Sequence, residues 1–528
     1  MPGYAYLLAA LYKIFGPNPF VPGLVQAAAD AGVALLIYLI CIRVFGSVGS
    51  TFATGARLIG LIAAVGWAFF VPAEAYSVIL MPTALFVLVF WFVVWRIVRS
   101  DAALSATECL VLSLLIGFTA TAVATILAIV PLIFAALLFR LKNESAFWRI
   151  LTVRIACLVA GLVLGTSPCW IHNYFIAKDP VALSAHSGIN FWIGNNPEAN
   201  GYPRFPPGLR SGQAAMLQDS ITQAEAAVGR PLKHAEVSAY WSNKAKAYLT
   251  GHFSDWLQLL GRKLRNFWNA FQYDDLSIIT SLRDQNVILP GIYFGVVATF
   301  AIPGIFFGWK LASQSRWIFA AICLSMFALL SVFITERYRL VAVWQAFLAK
   351  QIRTIVVYLV LLAAATIAIA WPQRDPSLFA LDAYNSGWQA LESNNLDLAA
   401  KKLALAYAYV PDNSETLFAI GNLRLAQNDR ASARSFYRVV LNLDPKHKGA
   451  FNNLGVIALD EQQYAEAEKW FRRAQDVDPR NAKTHFLLAK TLFAENDRQA
   501  ARIEIDIAIG LDPDQPEFAA LKERITEN

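Results

Sequence analysis

The chain has 528 residues, 57% of them hydrophobic and only 16% charged, against the roughly 45–50% and 25% of an ordinary soluble protein. Its net charge of +7 divides unevenly: residues 1–372 hold 26 Lys/Arg and 15 Asp/Glu, and residues 373–528 hold 19 and 23. A single soluble domain is excluded; an apolar, basic membrane part is followed by a polar, slightly acidic appendage, and the high pI reflects membrane topology rather than nucleic acid.

The first residues, MPGYAYLLAALYKIFG, have no basic leader and no small-residue cleavage site, so they do not read as a signal peptide. Apolar runs of spanning length follow near 24–42, 57–73, 77–95, 152–170, 289–309, 317–334 and 354–371. Residues 104–139 are too long for one span and predict two passes broken at Pro131. The run 340–349 is short, either a short pass or a re-entrant piece, which gives nine or ten passes in all. Short-loop basic residues (Arg43 and Arg57; Arg96 and Arg99; Arg140, Lys142, Arg149 and Arg154; Lys310 and Arg316) mark the cytoplasmic side. The loops around 72–76 and 173–288 then fall outside, as does the turn Glu336-Arg337-Tyr338-Arg339. That basic pair sits on the disfavoured side, where either a phosphate or carboxylate offsets its cost or the stems snorkel. Because the helix at 24–42 ends inside, residues 1–22 must begin outside, and an upstream helix with its outer loop is expected to be missing from this sequence.

Five cysteines (Cys41, Cys109, Cys157, Cys169 and Cys323) lie in or beside apolar runs without CxxC spacing, so neither a disulfide framework nor a metal site is expected. In the long outer loop, residues 168–210 are dense in turn residues and in Asn, Trp and Tyr, which hydrogen-bond to and stack on sugars. The substrate candidates there are His172, Asn173, His186, Asn190, Trp192, Asn195 and Asn196. Loop geometry alone accounts for the same composition equally well. Residues 236–270 place Trp241, Tyr248, Trp256, Leu260, Phe267 and Trp268 on one aromatic face, as in a helix lying on a bilayer. The histidines of this loop lack paired-ligand spacing. Glu74, beside Pro72, is a lone carboxylate, either a base or a helix-end charge. No glycine-rich phosphate loop occurs, so a transferred group would arrive from the lipid phase. No cofactor is evident, and a divalent metal stays open.

The C-terminal part repeats every 34 residues. Prolines stand at 411, 445, 479 and 513, small residues at Gly387, Gly421, Gly455 and Ala489, alanines at 399, 433, 467 and 501, and larger ones at Leu403, Tyr437, Phe471 and Ile505. This is the tetratricopeptide pattern, a helix-turn-helix unit that buries its apolar stripe only against its neighbours. Four repeats over 380–513, capped by 514–528, should form one right-handed superhelix that binds a protein or peptide partner and carries no chemistry itself. If 340–349 crosses the membrane, this array lies outside, the arrangement favoured here; otherwise it is cytoplasmic.

The start PGYAYLLAALYKIFGPN, the run WIHNYFI...GINFWIGNNPEANG and the turn ERYRL together resemble multi-spanning C-type glycosyltransferases related to protein O-mannosyltransferases and lipid A aminoarabinose transferases. The resemblance covers roughly residues 1–371. It implies a polyprenyl-phosphate-linked sugar donor, an outward-facing site in membrane lipids, inversion at the anomeric carbon, and Arg337 and Arg339 on the donor phosphate, with the 188–201 loop shaping the site. Three departures stand out: the family's first helix and acidic catalytic loop are absent, His172 replaces the arginine usual before Asn-Tyr, and Thr83 replaces an acidic residue, leaving Glu74 the nearest carboxylate. Taken together, the sequence predicts an all-α protein, a polytopic helix bundle with a repeat superhelix. Its function would be outer-face sugar transfer at a bacterial inner membrane, with loop and repeats periplasmic. The alternative is a catalytically inactive membrane-anchored scaffold, and a transporter is a distant third.

Overall fold

The computed structural model describes residues 3–47, 50–203, 206, 209, 213–271, 290–308, 313–332, 352–372 and 375–526. Among these the chain is helical, with one isolated parallel bridge between Phe70 and Ile292. It forms two compact units: residues 1–206 with 223–373, and residues 207–222 with 374–528.

The first unit begins with α1 (Gly3–Phe15), α2 (Phe20–Gly46), α3 (Ser50–Ala68), α4 (Val71–Val78), α5 (Thr83–Arg99) and α6 (Ala106–Ala120). A 3₁₀ segment, Ala124–Ile129, leads into α7 (Val130–Leu141), and α8 (Phe147–Ile171) ends in a π turn, His172–Ile176. Three described helical stretches are long and apolar enough to cross a membrane: Phe20–Gly46, Ala124–Leu141 and Phe147–Ile176. Shorter apolar helices accompany them, including Ala106–Ala120, Phe294–Phe306 and Gln314–Leu330. The run 104–139 does divide in two, but the break falls at 121–123, where the Thr121 hydroxyl donates to the Phe118 carbonyl at 2.6 Å. Pro131 lies in the first turn of α7, a position where its missing N–H leaves no bond unmade. The short run 340–349 lies outside the described residues.

Charges sort to the two ends of this bundle. Arg43, at the end of α2, pairs with Asp101 at 2.9 Å. Arg96 pairs with Glu108, Arg140 donates to the Ala102 carbonyl at 3.1 Å, and Gln314 donates to Asp101 at 3.2 Å. Arg43, Arg96 and Arg140, from three of the basic loops, are thus all held by groups of residues 97–108. At the opposite end, the Gly3 N–H donates to the Thr121 carbonyl at 3.1 Å, and the Gln26 amide donates to the Ser77 carbonyl at 2.8 Å. Between them, α6 and α8 pack backbone to backbone: a Cβ on Gly117 would sit 2.8 Å from the Leu162 carbonyl oxygen, and one on Gly165 would sit 2.7 Å from the Phe118 nitrogen. Small residues allow this approach where burial against lipid offers no hydrophobic gain.

The polar stretch between the apolar helices carries α9 (Ser187–Gly194), α10 (Gln213–Val228), α11 (His234–Gly251) and α12 (Phe253–Trp268). The expected single surface helix over 236–270 is two helices broken at His252, and of its aromatic face Trp241 and Phe267 are buried inside the unit. After it come α13 (Phe294–Gly308), α14 (Ser313–Leu330) and α15 (Ile352–Ile369).

The second unit is the repeat array: α16 (Pro376–Glu392) with α17 (Leu396–Tyr409), α18 (Ser414–Ala426) with α19 (Arg430–Leu443), α20 (Lys448–Asp460) with α21 (Tyr464–Val477), α22 (Ala482–Ala494) with α23 (Arg498–Leu511), and a final α24 (Pro516–Thr526). The 34-residue period is visible in the backbone. Asn394, Asn428, Gln462 and Asn496 all adopt left-handed φ values between 59° and 64° to turn the chain between paired helices. Side chains of Asn395, Asp429 and Asp497 cap the second helices, and Asn413, His447 and Asn481 cap the first, each satisfying an orphan N–H. The glycine column lets paired helices touch: a Cβ on Gly387, Gly421 or Gly455 would fall 2.8, 2.5 or 2.6 Å from Leu403, Tyr437 or Phe471. Leu403, Tyr437, Phe471 and Ile505 are completely buried.

Candidate functional site

The motif GINFWIGNN folds as α9 and the turn that stops it. Gly188 and Gly194 are required by close approach, since a Cβ would strike the backbone at Ser238 or at Val332. Asn195 is buried and bridges three elements: its amide donates to the Phe191 carbonyl at 2.9 Å and to the Ser331 carbonyl at 2.8 Å, and its Oδ1 accepts from Lys263 Nζ at 3.1 Å. Asn196 closes the same turn, donating to the carbonyls of Trp192 and Ile193 at 3.0 and 2.9 Å while its Oδ1 accepts from the Glu198 N–H at 2.8 Å. Trp192 packs on Trp241 with ring centroids 6.2 Å apart, and Lys244 lies over both indoles at 4.7 and 4.8 Å. Asn195 and Asn196 thus hold the loop together rather than presenting free amides.

Lys263 is the residue that sequence reasoning missed here. It is fully buried, donates to Asn195 and, at 3.0 Å, to the Leu330 carbonyl at the end of α14, and burial pushes its ammonium down to about 7. A signal was available: Leu259, Lys263, Asn266 and Phe267 fall on one helical face and all four are buried.

The second polar cluster lies between the N-terminal half of α2 and α4. Expected as a loop, residues 72–76 instead form most of α4, with Pro72 in its first turn. The Phe70–Ile292 bridge anchors its start, through Val71 N–H to the Ile292 carbonyl at 3.2 Å and Ile292 N–H to the Phe69 carbonyl at 2.7 Å. Glu74 is half-buried, and burial raises its carboxyl above the usual range. Near it, Asp30 of α2 accepts from the Trp67 indole at 3.0 Å, close enough for the two carboxylates to interact electrostatically. One turn away, Gln26 accepts from Tyr4 and donates to Ser77 and Ile79. Asp30 was also overlooked, although Gln26 and Asp30, four apart in an apolar run, share a face. Contacts link the clusters in series, from Lys263 along α12 to Phe267, whose ring lies 6.5 Å from that of Phe294, and from the neighbouring Ile292 to α4.

The remaining candidates scatter. His172 is exposed, 3.4 Å from the side-chain oxygen of Asn173, whose amide donates to the Val181 carbonyl at 2.9 Å. His186 caps nothing; its ring is depressed below the ordinary histidine range, chiefly by burial. Asn190 is half-buried within α9. Asp179 caps α11, accepting from the N–H groups of His234 and Ala235 at 2.7 and 3.1 Å. Arg337 and Arg339 lie outside the described residues. No group of three His, Cys, Asp or Glu able to hold a metal occurs among the described residues.

On the repeats, an amide network joins neighbours: Tyr437 donates to Asn422 at 2.7 Å, and Asn453 donates to Asn422 and Tyr437 at 2.8 and 3.0 Å. Asn452 and Thr484 exchange bonds at 3.1 and 3.2 Å. Residues 418–482 and 458–525 each match a family described as tetratricopeptide repeat. No curated protein matches the chain. Among solved structures, Pseudomonas aeruginosa pilF is 18% identical, covering 28% of this chain and 68% of that one at a TM-score of 0.27. YrrB, described as a TPR protein with an unusual peptide-binding site, is 16% identical, covering 33% and 85% at 0.25. Yeast Tom70 is 13% identical, covering 89% and 88% at 0.27. The chain is therefore a helical protein with C-terminal tetratricopeptide repeats, built for protein interaction, and with apolar helices compatible with membrane association.

Proposed function

We propose that the chain is a membrane glycosyltransferase that moves a sugar from a polyprenyl-phosphate-linked donor to a protein, lipid or glycan acceptor. It would act at the outer face of a bacterial inner membrane, and its repeats hold a protein or peptide partner. The observation that carries this reading is the carboxylate pair between α2 and α4: Glu74, raised by burial, and Asp30, anchored by Trp67. Deprotonating an acceptor hydroxyl needs a positioned base whose affinity for the proton approaches the working pH. Burial moves Glu74 in that direction, and Asp30 adds negative charge that holds a captured proton. Arg337 and Arg339 are assigned the departing lipid phosphate, where charge develops. Lys263 and Asn195 fix the end of α14, from which the chain runs on to that basic pair.

The test is label transfer from polyprenyl-phosphate sugars in proteoliposomes carrying the full chain. Glu74→Gln and Arg339→Ala should each lower transfer on the order of 100-fold or more, with the melting of the repeats unchanged. A second reading, a scaffold in which the repeats are the function, draws on the repeats being a compact unit of their own. It is favoured if no donor supports transfer while partner capture by the full chain persists in the Glu74→Gln variant.

A further inference from the structure

The repeats do not pack alone. Residues 213–222, which come from the polar stretch between α8 and α13, belong to the same compact unit as the repeats. Met216, Asp219 and Ser220 are buried there. Asp219 Oδ1 lies 3.4 Å from Lys448 Nζ, which also lies 2.9 Å from Asp478 Oδ2. Asp219 and Asp478 are only 8% and 5% exposed at the side chain, so the lysine is shared between two desolvated acids.

The repeat register shows that this lysine is particular to one site. Lys448 opens α20, and the residues 34 positions before and after it are Ser414 and Ala482. Asp478, by contrast, stands in a column with Asp444 and Asp512 before the repeat prolines. A lysine that pairs with an aspartate of its own array and with one from outside it reads as a receptor for an acidic side chain, because a buried charge is held only where it is paired.

We propose that residues 213–222 are a built-in ligand of the repeat array, docked through Asp219 on Lys448. An external partner that takes the same place must carry an acidic residue and displace this segment. The proposal does not rest on the transfer reaction.

Hydrogen exchange on the full chain in nanodiscs tests the docking. In Lys448→Glu, amides of 216–222 should exchange at least about tenfold faster, while those of 482–511 keep their protection, and the double reversal Asp219→Lys with Lys448→Glu should restore the original rate. Unchanged exchange in the single variant, or no restoration by the double reversal, overturns it. Should Lys448→Glu loosen 482–511 as well, the milder Asp219→Asn decides: faster exchange at 216–222 with 482–511 still protected upholds the docking, and unchanged exchange overturns it.

Discussion

The repeat array and the membrane bundle both bring helices together through glycine, yet they do so against different partners. In the array, Gly387, Gly421 and Gly455 each make room for a side chain, the leucine or aromatic ring sixteen residues later in its own repeat. In the bundle, Gly117, Gly161 and Gly165 make room for backbone atoms of another helix. The first contact is local and recurs every 34 residues. The second joins α6 to α8 across the intervening α7, as Gly188 joins α9 to the backbone at Ser238, and follows no period. The same division runs through the polar contacts: caps in the array come from the residue next to the helix, whereas Asp179 caps α11 from 55 residues away.

Substitutions can break or sharpen this contrast. The largest effect is expected at Lys263, which is buried and donates to Asn195 and the Leu330 carbonyl. Burial holds it at about 7, below the ordinary lysine value of 10.5, so the unfolded chain binds the extra proton between those limits. Stability of that unit should be lowest below pH 7, climb by about 5 kcal/mol toward pH 10.5, and then level off. Denaturant unfolding followed across this range should show the climb, and Lys263→Met should remove it. Next, Gly165→Leu should cost roughly 3 kcal/mol, because the backbone it meets at Phe118 cannot swing aside. Gly455→Ala should cost less, about 1–2 kcal/mol, since the Phe471 ring at 2.6 Å has some freedom to shift. Paired thermal melts of the two variants test the distinction, and equal losses would dissolve it.

Smaller effects belong to the turns and caps of the array. Asn481→Ala removes the side-chain oxygen that accepts from the Thr484 N–H at 3.1 Å and should cost about 1 kcal/mol. Its influence should fade within one neighbouring repeat, since each unit contacts only its neighbours. Gln462→Gly, at φ 60°, should gain about 0.5 kcal/mol, relieving a left-handed residue with a Cβ. A loss at this position would mean that unfolded-chain entropy outweighs the strain.

Reading these residues in sequence succeeded where the physics is local. A 34-residue column of Gly, Ala and Pro announces paired helices, because each repeat must bury the same stripe against the same neighbour. Apolar length announces membrane-compatible helices, because every backbone group must be satisfied within the helix in lipid. The candidate site was legible only in part. Trp192, Asn195 and Asn196 were singled out as sugar-facing, yet two of them spend their hydrogen bonds on backbone carbonyls. Glu74 was named, but not the Asp30 that shares its surroundings, since the two are 44 residues apart and only the fold of α2, α3 and α4 brings them together.

What the sequence by itself determined, then, is the helical class, the repeats and their register, and the apolar, basic character of the first part, all set by patterns within a few turns of chain. The tertiary structure alone decided where the long apolar run breaks, that Lys263 is buried against Asn195 and Leu330, that Trp67 holds Asp30, and that residues 207–222 belong with the repeats. Each of these depends on which distant groups compete for the same hydrogen bond or the same buried volume, and that competition has no period for a sequence to display.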